Sequence, residues 1–176
     1  MFSTRVASPG RDADRTNSDS RVSPSMPEDA FEALADADVR NDATFALDAE
    51  HATPVFGRQD DPPSEPAAAD AEPGEAVDVL GTSYLLAQFG AVAREALRGH
   101  LPDGHGAVER GASISHLAPV GVDGEVTVTA TLVRVSRPDV RFAVRAERES
   151  DGAAVATGDL TFRVVDRERF RGSVPP

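Results

Sequence analysis

The stretch GTSYLLAQFGAVAREALRGHL, residues 81–101, constrains the fold more than any other part of the chain. Leu85, Leu86, Phe89, Val92, Ala93, Ala96 and Leu97 recur at steps of three and four, so they share one face of a helix. Thr82 or Ser83 supplies a hydroxyl to cap its start, and His100, Pro102 and Gly104 mark its stop. Gly90 costs a helix interior about 1 kcal/mol relative to Ala, so it either allows close packing or has replaced something larger. No second helix of this length follows. One apolar helix and the sheet beyond it must bury each other.

That sheet is legible from alternation. Residues 107–117 (AVERGASISHL) alternate imperfectly, and Gly111 points to a bulge or a close backbone approach. Val126, Val128, Ala130 and Leu132 then face one side, with Thr127, Thr129 and Thr131 on the other. Beyond Leu132 the phase slips, as at a bulge or where the strand is covered on its other side. Arg137-Pro138 is a break, after which Val140, Phe142, Val144 and Ala146 oppose Arg141, Arg145 and Glu147. Asp151-Gly152 is a hairpin signal, and Ala154, Ala156, Gly158, Leu160, Phe162 and Val164 form the last apolar face. Three long strands on short turns make an antiparallel meander. With the strand from 107 and a short one at 43–47, the sheet reaches about five strands.

Residues 1–40 read as a disordered or weakly structured segment and 41–172 as one domain. Residues 1–25 are Ser, Arg, Asp and Pro with almost nothing apolar to bury, and Met26 offers a second possible start. Phe31, Leu34 and Val39 are expected to pack loosely at most. Residues 57–76 form an acidic Pro/Ala loop, read as a tolerated insertion.

With no cysteine there is no disulfide framework, thiolate metal site or thiol nucleophile. His51, His100, His105 and His116 lack metal-binding spacing, so no metal is expected. No apolar run is long enough to span a bilayer and no signal core opens the chain, so no membrane partner is expected and the protein reads as soluble and cytoplasmic. All 18 basic residues are arginine and the net charge is −12, the wrong sign for a general nucleic-acid binder. A GC-rich genome and a halophile, whose acidic surface needs salt to screen it, both account for that balance.

An α+β order of strand, long apolar helix and four antiparallel strands is that of the hotdog fold. VLGT before the helix, SISHLAPVGVDGEVTVTATLVRV after it and the closing ATGDLTFRVVDRERF resemble the fluoroacetyl-CoA-thioesterase-like branch of the hotdog thioesterases. That branch reads V-L-A-T-P, a helix with an acidic residue, V-x-V-x-H-L-A-P-T-P-x-G and G-x-H-x-R-x-V-V-D-x-x-R-F. The resemblance covers roughly residues 77–172 and, more weakly, 43–56.

The resemblance implies hydrolysis of an acyl-CoA or acyl-carrier thioester, without a cofactor, in a pocket between two protomers of a homodimer. Its working groups are a Thr at the helix start, an acidic residue eight positions on, and the His of H-L-A-P. Thr82 and His116 fill the first and last, Gly90 stands at the second, and Gln88 lies about 200° round the helix from it. Glu109, seven before His116 where the family has Gly, is the candidate replacement. Gly81, Ser83 and Gly158 are the expected substrate-binding residues. In the closing motif the family's His and Arg fall on Leu160 and Phe162, with Arg163 displaced by one residue. Plainer readings stand beside these: Thr82 as an N-cap, His116 as a hydrogen-bonded strand-end residue, Glu109 in a solvated ion pair with Arg110. A non-catalytic acyl-thioester binder, a hotdog hydratase and a pure interaction protein are the alternative functions.

Overall fold

Alternation, proline and glycine decide where the elements begin and end. The computed structural model describes residues 26–55 and 77–175. In chain order these form α1 (Glu28–Asp36), β1 (Arg40–Ala46), β2 (Ala52–Val55), β3 (Val77–Leu80) and α2 (Thr82–Ala96). There follow β4 (His105–His116), β5 (Glu125–Ser136), β6 (Asp139–Arg148), β7 (Ala154–Asp166) and α3 (Arg167–Ser173). Five strands make one antiparallel sheet in the order β1-β5-β6-β7-β4, and β2 pairs with β3 separately. This is the expected α+β arrangement. Among the described residues no helix is long and apolar enough to cross a membrane.

The sheet's apolar face closes over α2. Leu85, Phe89 and Ala93 are fully buried with Val126, Val128, Phe142, Leu160 and Phe162. Burying one such large side chain is worth about 1.5–3 kcal/mol, so this contact dominates the stability of the fold. Both irregularities in the alternation are register shifts, one between Glu109 and Gly111 and one between Leu132 and Arg134.

Four features differ from the sequence reading. Residues 28–39 are not loosely packed: Phe31, Leu34 and Val39 are buried in the same core, and Leu132 N–H donates to Val39 C=O (2.9 Å). The packed body therefore begins before residue 41. α2 stops at Ala96, because the N–H groups of Leu97 and Arg98 turn to the carbonyls three residues back, Arg94 and Glu95. β2 pairs with β3 across twenty-one intervening residues, a contact no local pattern announces. α3 forms where Asp166 accepts from Arg169 N–H (2.8 Å). The expectations for the 1–25 tail and the 57–76 loop lie outside the described residues.

Candidate active site

The site begins where β3 turns into α2. Gly81 is the N-cap, in an extended conformation, and a Cβ there would collide with Thr53 Oγ1. No side chain caps this end, so the capping role expected of Thr82 or Ser83 is not filled. Thr82 is instead the first helical residue, and its Oγ1 lies 3.0 Å from His116 Nδ1. The unbonded N–H groups of a helix's first turn carry its partial positive charge, so this hydroxyl stands beside an electropositive backbone.

His116 reaches Thr82 because it ends β4 just before Leu117–Pro119. That stretch is clamped by Leu117 N–H to Val155 C=O (2.7 Å) and Leu80 N–H to Val120 C=O (2.8 Å). Tyr84 fixes the helix start from the other side, stacked on His51 at 4.0 Å and edge-on to Phe45 at 5.5 Å. Burial, then the charge of Asp48, holds the Tyr84 phenol above its ordinary value, so it stays neutral here. His116 Nε2 is shielded from solvent and has no hydrogen-bond partner among the described residues. With Nδ1 engaged by Thr82, Nε2 is the ring atom left to meet a reacting group. A cavity of about 320 Å³ lies here, lined by Thr53, Gly81, Thr82, His116, Leu117 and Pro119 among others.

Glu109 sits elsewhere. Strict alternation would put residues 109 and 116 on opposite faces of β4, but the bulge at Arg110 restores the phase. Glu109 and His116 are in register with Phe162 and Ala156, both buried beneath the helix, so they share the helix-facing side. The Glu109 carboxylate fills the space Gly90 leaves open: its Oε2 is 2.7 Å from where a Gly90 Cβ would be, and Arg94 Nη2 is 3.1 Å from the same point. Six ladder steps nevertheless separate Glu109 from His116, on the order of 20 Å along the strand. Gly90 is eight residues, about 12 Å, along the helix from Thr82. Within one chain the structure joins Thr82 to His116 and leaves Glu109 apart from them. Nor does Glu109 pair with Arg110, which reaches Asp139 at 2.6 Å.

Ser83 is exposed and does not line the cavity by His116. Gly158 packs against β4, where a Cβ would meet the backbone of Ser113 and Ile114. Leu160 and Phe162 are core residues, and Arg163 lies on the other face in an ion pair with Asp139 (2.9 Å), which the one-residue displacement foretold. Two contributors were missed. Thr53 enters through the β2–β3 pairing, for which the sequence has no signal. Arg94, whose guanidinium lies 5.9 Å from the Phe162 ring centroid, follows Gly90 by one helical turn and was findable from that spacing. A larger cavity of about 1130 Å³ lies at the far end of α2, lined in part by Arg94, Arg98, Arg167 and Arg171. Of these only Arg98 has an ion-pair partner among the described residues, Glu95.

A family model described as fluoroacetyl-CoA-specific thioesterase matches residues 64–168, more than half of the chain. No curated protein matches it by sequence. Among solved structures, a hot-dog-like protein from Thermanaerovibrio acidaminovorans is similar at TM-score 0.63 and 21% identity, over 81% of this chain and 92% of that one. A Thermus thermophilus protein described as a thioesterase superfamily member has TM-score 0.63 and 14% identity, over 78% and 89%. The fluoroacetyl-CoA thioesterase FlK has TM-score 0.61 and 20% identity, over 79% and 97%. At these identities the likeness carries the fold, which is the hotdog fold.

Proposed function

Because the chain belongs to the fluoroacetyl-CoA-specific thioesterase family, we propose that it hydrolyses a small acyl thioester of coenzyme A at the N-terminus of α2. The observation that carries this reading is the Thr82 Oγ1–His116 Nδ1 contact of 3.0 Å at a helix start with no side-chain cap. A thioester carbonyl oxygen set there meets free N–H groups and the positive end of the helix, which stabilise the oxyanion that forms on attack. Thr82 orients the acyl group or the attacking water, and His116 serves as base or hydrogen-bond donor. Gly81 makes room for Thr53 beside the helix start, and both line the cavity the acyl group would enter. Water and the thioester are the only reactants, and no cofactor takes part.

Coenzyme A as the carrier is supported by the arginines of the larger cavity, which suit its phosphates. The protein works as a homodimer in the cytoplasm of a salt-rich cell, in keeping with its −12 charge. Hydrolysis across a panel of acyl-CoA chain lengths is the test, read as free thiol released. Turnover of short acyl chains, lost in His116→Ala, is the expected result. Binding of acyl-CoA without hydrolysis favours the second reading, a non-catalytic acyl-thioester binder, which the separation of Glu109 from Thr82 and His116 within one chain also favours.

A further inference from the structure

The cavity at the start of α2 is walled mostly by apolar side chains, among them Val55, Val79, Leu117, Ala118 and Pro119. Three polar side chains break that wall: Thr53, Thr82 and His116. Two of these are engaged with each other, since Thr82 Oγ1 lies 3.0 Å from His116 Nδ1. The Thr53 hydroxyl has no hydrogen-bond partner among the described residues. We propose that Thr53 sets the acyl specificity: its hydroxyl binds a hydroxyl on the carbon next to the thioester carbonyl, so the preferred substrates are short 2-hydroxyacyl thioesters. The inference rests on the thioesterase reading and names the acyl class which that reading leaves open.

Strand pairing and a glycine put Thr53 where this contact requires it. On β2 it stands opposite Val79 of β3. Residues opposite one another, like residues two apart along a strand, take the same face. Thr53, Val55 and Val79 therefore form one side of the cavity. The Thr53 hydroxyl leans on Gly81, the N-cap of α2, in the space a Cβ would take. Gly81 is followed by Thr82, whose N–H belongs to the unbonded first turn of the helix. A thioester carbonyl received by that turn has its neighbouring carbon beside Thr53. Carbons further out meet Val55, Val79 and Leu117 instead. A polar substituent thus fits on the carbon adjacent to the carbonyl, and the rest of the acyl group has to be short and apolar in a cavity of about 320 Å³.

A threonine hydroxyl both donates and accepts, and so does a 2-hydroxyl, so the two can bond in either direction. Thr53 is exposed, and solvent meets its hydroxyl until an acyl group enters. A plain acyl group displaces that solvent and returns no hydrogen bond, whereas a 2-hydroxyacyl group replaces the bond it removes. The net worth of such an exchange is a preference on the order of tenfold. Strand pairing does not call for the hydroxyl, because valine has the same branched outline and suits a strand as well. In the reaction, water oxygen bonds the carbonyl carbon and the C–S bond breaks with its electron pair going to sulfur. A proton from the water goes to the thiolate, and the products are a 2-hydroxy acid and the free thiol.

Matched substrates that differ by one oxygen decide it: glycolyl-CoA against acetyl-CoA, and lactyl-CoA against propionyl-CoA, each read as thiol released at limiting substrate. The wild type is expected to show kcat/KM about tenfold higher for the hydroxylated member of each pair. In Thr53→Val that ratio is expected to fall towards one, and in Thr53→Ser, which keeps the hydroxyl, to stay near the wild-type value. A ratio of two rates on one preparation does not depend on how much of it is folded, so a folding defect cannot imitate the result. A wild type that hydrolyses acyl-CoA without preferring the hydroxylated members, or a Thr53→Val variant that keeps the wild-type ratio, overturns the inference and leaves the thioesterase reading standing. A wild type that hydrolyses none of the four removes that reading, and calorimetric titration with glycolyl-CoA and acetyl-CoA then decides the contact. Tighter binding of glycolyl-CoA that is lost in Thr53→Val supports it; equal binding of the two, or none, overturns it.

Discussion

Gly90 and Glu109 occupy the same space from two different elements, and exchanging them is the sharpest test of what that space is for. Glu109→Gly removes the carboxylate and, if it acts as general base, lowers turnover by 100-fold or more on the order-of-magnitude scale for such groups, about 2.7 kcal/mol at the lower bound. Gly90→Glu puts a Cβ where Glu109 Oε2 is only 2.7 Å away, so the existing carboxylate must swing out and a second negative charge arrives beside it. Two carboxylates about 4 Å apart near a protein surface repel by up to roughly 4 kcal/mol. Because Glu109 is exposed, rotation toward solvent relieves most of that. Replacing a helical glycine returns on the order of 0.7 kcal/mol. The single Gly90→Glu variant is therefore expected to melt a few degrees lower and to turn over slowly. In Gly90→Glu/Glu109→Gly the clash is gone, the helix gain remains, and a carboxylate again stands over the same spot. This double variant should melt above the wild type and recover turnover to within about tenfold of it. The assays are thiol release under saturating acyl-CoA and thermal unfolding by circular dichroism. A double variant whose losses are the sum of the singles to within about 0.5 kcal/mol would refute the exchange, and Glu109 would then be a surface residue.

Thr82→Ala should separate the two roles of a residue at a helix start. Since Thr82 makes no capping bond, the thermal midpoint should fall by less than a lost cap's roughly 1 kcal/mol, whereas thiol release should drop on the order of 100-fold. Equal turnover would strip Thr82 of its part. At low pH the Arg110–Asp139–Arg163 cluster should give way: the Arg163 hydrogen bond and the two guanidinium charges hold the Asp139 carboxyl below its ordinary range. A carboxyl lowered on folding adds stability above its unfolded pKa of about 4, and that stability is lost as pH falls through the folded value. Asp139→Asn should therefore unfold more easily than wild type at pH 7, with the gap closing in acid; a constant gap in a urea titration from pH 7 to pH 2 would contradict this. With a net charge of −12, the thermal midpoint should rise from dilute buffer to molar KCl as self-repulsion is screened. A midpoint independent of salt would leave the charge as codon bias alone.

What the sequence determined by itself was whatever depends on near neighbours in the chain. The period of Leu85, Phe89, Val92 and Ala96 made a helix, the alternation from Val126 to Val164 made a meander, and together they allowed only a sheet closed over one helix. Even the bulges near Gly111 and Leu132 showed as slips in a period of two. Thr82 and His116 were legible as a pair through the resemblance of H-L-A-P and V-L-G-T to a family pattern. Tertiary structure decided what those residues do to one another. It released Thr82 from the helix cap and turned its hydroxyl to His116 at 3.0 Å. It brought Thr53 to Gly81 through a pairing of two strands that lie twenty-one residues apart in the chain. It turned Glu109 to the helix face and filled the gap over Gly90 with its carboxylate, yet kept it some 20 Å of strand from His116. The physical reason is that periodicity records which face a residue takes within its own element. Distances between elements depend instead on how the faces are packed, and no local pattern contains them.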